Sequence, residues 1–141
     1  MAERTTTFEV YTTGPGFYEI TGHVQNWIAN ISAGSARVTL FVQHTSCSLL
    51  IQENADPDVQ TDLLAWLERL APPADHPSMS YLRHVTEGPD DMPAHIKASV
   101  LPTSLTIPVL GGRMALGTWQ GIYVVEHRTQ SHHRRVVATL D

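Results

Sequence analysis

The sequence predicts an α+β domain built on a mostly antiparallel β-sheet or sandwich, with two or three helices. Three observations predict it. Strand-like runs outnumber helical ones. The helical runs do not alternate regularly with them, as a parallel βαβ array would require. The 141 residues make one ordinary domain, 1–141, able to bury about 68–70% of its unfolded surface without disulfides or metal staples.

Each element has its own signal. Thr5 to Thr13 alternates Thr and Glu with Phe8 and Val10, the period of a strand, and Gly14-Pro15-Gly16 turns it. Ile20, Val24, Ile28 and Ile31 recur every three or four residues, the stripe of an amphipathic helix, with Trp27 beside it and Gly34 past its end. Ala36 to Gln43 is β-branched and aromatic and reads as a strand, and Ser46 to Gln52 as another. Asp56-Pro57-Asp58 opens the clearest helix: a capping aspartate, a proline at the first helical position and acid at the positive dipole end. Val59, Leu63, Trp66, Leu67 and Leu70 are its expected buried face, and Ala71-Pro72-Pro73 stops it. Residues 72–92 form a long polar loop, and Pro93 starts a short helix to about Leu101. Ser104 to Val109 is a strand, and Gly111-Gly112 a turn. Arg113 to Val125 is one long strand or two joined at Gly117, and Arg135 to Leu140 is the last.

Composition narrows the partners. The net charge is −5, with nine Lys and Arg residues of which only Lys97 is lysine. Nucleic acid is therefore not expected, since phosphate backbones demand clustered cations. Cys47 is the sole cysteine, so no intramolecular disulfide forms, which fits a reducing compartment. Met1-Ala2-Glu3-Arg4-Thr5 begins no signal peptide, and no run approaches the ~20 apolar residues of a membrane span. A cytoplasmic protein with no membrane partner is expected.

The chemistry concentrates in His84-Val-Thr-Glu-Gly-Pro-Asp-Asp-Met-Pro-Ala-His95. Two histidines and three acids on a loop are the ingredients of a metal or anion site, or of acid–base catalysis. His44 follows a strand, and three imidazoles would suit zinc or another first-row transition metal with one position open. No short zinc signature such as H-E-x-x-H supports it. Either Asp90 or Asp91 could instead cap the helix that follows, and Asp56 is fully accounted for as a cap of its own helix. Glu87 and Glu53 have no such structural excuse and remain candidate bases. Cys47 shares a strand face with Leu49 and Ile51 and reads as buried and inert. Arg128, Arg134 and Arg135, with three nearby histidines, form either a phosphate cradle or a solvated terminal hairpin. In Gly117-Thr118-Trp119-Gln120-Gly121 the glycines mark a bulge or a close backbone approach. Trp119 is a core residue or a stacking platform, with Thr118 and Gln120 as its hydrogen-bonding neighbours.

The run Ser104-Leu-Thr-Ile-Pro-Val-Leu-Gly-Gly-Arg-Met-Ala-Leu-Gly-Thr-Trp-Gln-Gly-Ile122 resembles the signature of the YjbQ-like family, also called the secondary thiamine-phosphate synthase family. His44-Thr-Ser, Gln52-Glu-Asn54, Asp56-Pro-Asp-Val59, His84…Glu87-Gly88 and Ala94-His-Ile-Lys-Ala-Ser99 follow the family's order, and the resemblance spans about residues 6–140. It implies a homotrimer with a pocket between subunits, a bound metal or anion, and a small-molecule substrate. The implied reaction joins hydroxymethylpyrimidine diphosphate to thiazole phosphate with release of pyrophosphate. On that reading His44, His84 and His95 hold a divalent metal, zinc or another first-row ion, with magnesium as an alternative. Lys97, Arg134, Arg135 and Asn54 bind substrate and phosphate, and Glu87, Glu53, Trp119, Gln120 and Thr118 serve the chemistry. The competing readings are a metal-dependent hydrolase and a non-catalytic binding trimer. The chain departs from the family's pattern at Pro89, which fixes φ and removes a donor, and in the stretch after Glu126.

Overall fold

The computed structural model describes residues 4–31 and 34–141. Its strands form two antiparallel sheets. The larger has the order β1 (Thr5–Thr12), β8 (His132–Leu140), β3 (Ala36–Val42), β5 (Ser104–Leu110) and β6 (Arg113–Met114). The smaller has β2 (Gly16–Glu19), β7 (Gln120–Glu126) and β4 (Cys47–Glu53). Three α-helices complete the domain: α1 (Thr21–Ala29), α2 (Pro57–Leu70) and α3 (Asp91–Val100). The α+β architecture and antiparallel pairing are those expected. The region 113–125 resolves into two strands, and they belong to different sheets.

Alternation decides what lies between the sheets. Val38, Leu40 and Val42 of β3 and Val136, Ala138 and Leu140 of β8 point inward. They meet Leu49 of β4, Ile122 and Val124 of β7, and the α1 stripe of Ile20, Val24, Ile28 and Ile31. β7 is buried on both faces: its other side, Tyr123 and Val125, packs on Leu67 of α2. The layers are therefore large sheet, small sheet, helix.

Two expectations about α2 meet different fates. Asp56 caps it, accepting from the Asp58 N–H at 2.9 Å, with Pro57 at the first position. The five-residue buried face does not form. Leu67 is buried, but Trp66 and Leu70 are exposed, because α2 lies on a three-stranded sheet too narrow to cover a full stripe. The predicted loop 72–92 contains one 3₁₀ turn, Pro77–Met79. The β5–β6 hairpin closes through Gly111 and Gly112 at φ 58° and 79°, the left-handed pair that a two-residue turn demands.

The same alternation buries charge. Arg134 occupies an inward position of β8 and Glu126 one of β7. Arg134 Nε donates to Glu126 Oε1 at 2.7 Å, and its Nη2 reaches Oε2 and the Ser46 hydroxyl. This ion pair bolts one sheet to the other.

Candidate metal centre

Helix α3 sets the geometry of the site. Asp91 and His95 are four residues apart and so share a helical face. His84, on the preceding loop, folds back over them. His84 Nε2 lies 2.7 Å from Asp91 Oδ2, and His95 Nε2 lies 3.1 Å from the same oxygen. Ligand atoms of His84, Asp91 and His95 all fall within 4.8 Å of one another, which is room for one ion. Glu87 stands at the rim, its Oε2 3.6 Å from His84 Nε2.

Surrounding groups aim these three. Arg128 Nη1 donates to Asp91 Oδ1 at 2.6 Å and its Nε to Asp90 Oδ2 at 2.8 Å, so one guanidinium anchors both aspartates. The Thr129 N–H adds a bond to Asp90 at 3.0 Å. Burial works to raise both carboxyl pKa values, and the hydrogen bonds and nearby cations outweigh it. Arg128 and Thr129 bring Asp90 down to about 2. Bonding from His84 and the charges of His95 and Arg128 hold Asp91 below its usual value. Both are anionic at neutral pH.

His95 supplies the decisive detail. Its Nδ1 lies 2.9 Å from the Thr45 carbonyl oxygen, which can only accept, so Nδ1 carries a proton. In a neutral ring Nε2 then presents a lone pair, and it faces a carboxylate oxygen at 3.1 Å. Two acceptors at that distance need a cation between them, a proton or a metal ion. A backbone carbonyl on one nitrogen, fixing the other toward the ion, is how metal-ligating imidazoles are oriented. Two imidazoles and one carboxylate fit zinc or another first-row divalent ion, with a position left open.

Of the three expected ligands, His84 and His95 lie together, the third side chain of that cluster is Asp91, and His44 lies outside it. His44 Nε2 already accepts the Arg135 N–H at 2.8 Å, so its lone pair is spent on the backbone. Burial, then the Arg134 charge, push its pKa down. The cap reading of Asp90 and Asp91 holds in position only: Asp90 is the N-cap residue and Asp91 lies in the first turn. α3 begins at Asp91, two residues before the expected start, and Asp90 at its cap makes no side-chain capping bond. The sequence signal for Asp91 is its spacing of four from His95, which an acid's ordinary role at a helix start masks.

The expected phosphate binders scatter. Arg134 is committed to Glu126 and Ser46 inside the core. Lys97 is two residues from His95, about 200° around the helix, and faces α2, where its Nζ meets Glu68 at 3.2 Å. Arg135 is exposed and lines a groove of about 660 Å³ shared with Tyr11, Glu19 and His23. Asn54 Nδ2 lies 3.4 Å from Glu19 Oε2, at the edge of that groove.

Glu53, Asn54, Thr118, Trp119 and Gln120 gather at the opposite end of the small sheet. Glu53 pairs with Gln120 across β4 and β7, and the Asn54 N–H donates to the Trp119 carbonyl. Glu53 also accepts the Asp56 N–H, and Gln120 the Gly117 N–H. Trp119 is 63% exposed, which removes the core reading. The close approach at Gly121 is to protein: a Cβ there would sit 2.7 Å from Glu19 Oε2. The length of β7, about 20 Å, separates this end from the histidine cluster. Cys47 is fully buried, and burial pushes its thiol up to about 11, as an inert core cysteine requires.

Fold and site together define a small α+β protein with a candidate His/Asp metal centre. The chain belongs to the YjbQ-like UPF0047 family, whose pattern it matches over residues 6–140. It is 44% identical to UPF0047 protein sll1880 of Synechocystis, over 91% of this chain and 84% of that one. It is 42% identical to UPF0047 protein YjbQ of Escherichia coli O157:H7, over 89% of this chain and 88% of that one. Two solved structures are similar. A YjbQ/UPF0047 family protein of Clostridium acetobutylicum superposes with TM-score 0.85 at 32% identity, covering 96% of this chain and 99% of that one. The conserved hypothetical protein TT1486 of Thermus thermophilus does so with TM-score 0.81 at 37% identity, covering 96% and 99%.

Proposed function

We propose that this chain is a divalent-metal enzyme of the thiamine-phosphate synthase type, joining hydroxymethylpyrimidine diphosphate to thiazole phosphate and releasing pyrophosphate. The observation that carries the metal is the convergence of His84, Asp91 and His95 ligand atoms within 4.8 Å of one another, with His95 Nε2 turned to Asp91 by the Nδ1 bond to Thr45. His84, Asp91 and His95 would hold the ion, which would supply charge neutralisation at the departing diphosphate. The reaction itself rests on the family resemblance. Trp119, exposed beside Thr118 and Glu53, offers a face for the pyrimidine cation left when pyrophosphate departs, a stacking or cation–π contact worth roughly 0.5–2 kcal/mol. Arg135 offers a guanidinium to a phosphate in the adjoining groove. Because about 20 Å of β7 separates Trp119 from the histidines, one substrate spans both only if a neighbouring copy supplies one half. A homotrimer with its site between subunits meets that requirement.

A second reading, a metal-dependent hydrolase, is favoured by Glu87. Its carboxylate is 3.6 Å from His84 Nε2 and 63% exposed, placed to take a proton from a water at the rim. Purified protein with zinc, given the two precursors, separates these. Product above the blank that Asp91→Asn abolishes supports the synthase. No product, with turnover of a phosphoester panel lost in the same variant, supports the hydrolase. Metal binding with neither activity identifies a binding protein and refutes both.

A further inference from the structure

On the far side of α3 from the histidine cluster, a cavity of about 270 Å³ lies between α2, α3 and β7. A smaller lobe of about 50 Å³ adjoins it, sharing Lys97, His127, Glu68 and Pro15. Lys97 is 7% exposed, and an ammonium so placed carries three donors. Among the described residues only Glu68 accepts one, and that carboxylate is itself 57% exposed. His127 is 3% exposed; its Nε2 meets Ser48 Oγ at 3.0 Å, and its Nδ1 has no partner among the described residues. Leu64, Leu67 and Pro15 supply apolar wall. Glu126, also in the wall, is saturated by Arg134, Thr12 and two backbone N–H groups.

Among the described residues no fully buried side-chain polar atom lacks a partner, so the unused Lys97 donors and His127 Nδ1 open into the cavity, where a ligand can meet them. We infer that this cavity is a binding site for a small organic carboxylate, whose anion displaces Glu68 from Lys97 and whose apolar body lies against Leu64 and Leu67. One ammonium and one imidazole match a single negative charge. Among the described residues no guanidinium is free there to grip a phosphate dianion, since Arg134 is spent on Glu126. The volume lies just below the range of drug-sized pockets, which sets the ligand at metabolite size. The main cavity shares no side chain with His84, Asp91 and His95, although Asp90 borders the smaller lobe, and it stands whether or not that cluster binds metal.

The test is a methyl NMR titration of the whole protein with butyrate and, at matched ionic strength, inorganic phosphate. Butyrate should give saturable shifts of the Leu64 and Leu67 methyls, with a dissociation constant on the order of 1 mM, and phosphate none. Glu68→Gln removes the competing carboxylate and should tighten binding several-fold. Lys97→Met should weaken it about tenfold or more. Glu68 is a surface residue, so its variant reports even if the lysine variant does not fold. Absence of saturable shifts, equal response to phosphate, or unchanged affinity in Glu68→Gln would each overturn the site. If Lys97–Glu68 merely ties α3 to α2, Glu68→Gln lowers stability and leaves the titration flat.

Discussion

If His84, Asp91 and His95 hold a divalent ion, the ion must stabilise the fold by linkage, and the size of the effect can be worked out. An ion present at 100 times its dissociation constant contributes about 2.7 kcal/mol. Unfolding entropy near about 2.1 cal/mol/K per residue gives a chain of 141 residues about 0.3 kcal/mol/K, so the melting midpoint should rise by about 9 °C. The assay is a circular-dichroism melt with zinc and with chelator. Asp91→Asn removes the buried anion at the centre of the cluster and should erase the zinc-dependent rise. His44→Ala removes a side chain whose Nε2 is engaged by the Arg135 N–H and should keep it, on a lower baseline. The opposite pattern, a rise that survives Asp91→Asn and vanishes in His44→Ala, refutes the ligand assignment. No zinc-dependent rise in the wild type refutes the centre itself.

Arg134→Met strands Glu126 in the core and should cost about 3–5 kcal/mol in urea unfolding, and a change under about 1 kcal/mol would show that the pair does not join the sheets. Asp90, depressed to about 2, contributes stability that is present above its unfolded pKa near 4 and lost as pH falls through 2. Asp90→Asn should therefore cost about 2 kcal/mol at pH 7 and almost nothing below pH 2, measured by unfolding at both. Cys47 should resist a thiol reagent in the native state and react fully in denaturant, since its thiol is both buried and weakly acidic.

Periodicity carried most of the fold. The α1 stripe, the Asp56 cap and the strands at Ala36–Val42 and toward Leu140 each followed from local pattern, and all formed. The α2 face misled because a hydrophobic stripe states what a helix can bury, and the width of its partner sheet states what it does bury. The site was legible in half. His84 and His95 stood out by type and crowding. Asp91 was hidden because an acid at a helix start has an ordinary explanation. Arg134 looked like a phosphate ligand as one of a basic run, yet β8's alternation already placed it with Val136 and Ala138 rather than with Arg135. The place of His44 was not legible because backbone partners are invisible to composition: nothing in its neighbours announces that the Arg135 N–H will claim its nitrogen.

The end of β7 has a consequence for how this family can vary. Glu126, His127 and Arg128 are consecutive, yet they serve three places: the ion pair between the sheets, the Lys97 cavity and the aspartates Asp90 and Asp91 beside the two histidines. Inserting or deleting one residue in β7 would turn each side chain to the opposite face. It would part Glu126 from Arg134 and His127 from Ser48, and would disturb all three at once. Insertions should therefore be tolerated in the 72–83 loop and absent between Ile122 and Arg128, and the spacing of Trp119 from Arg128 should be as fixed as the residues themselves.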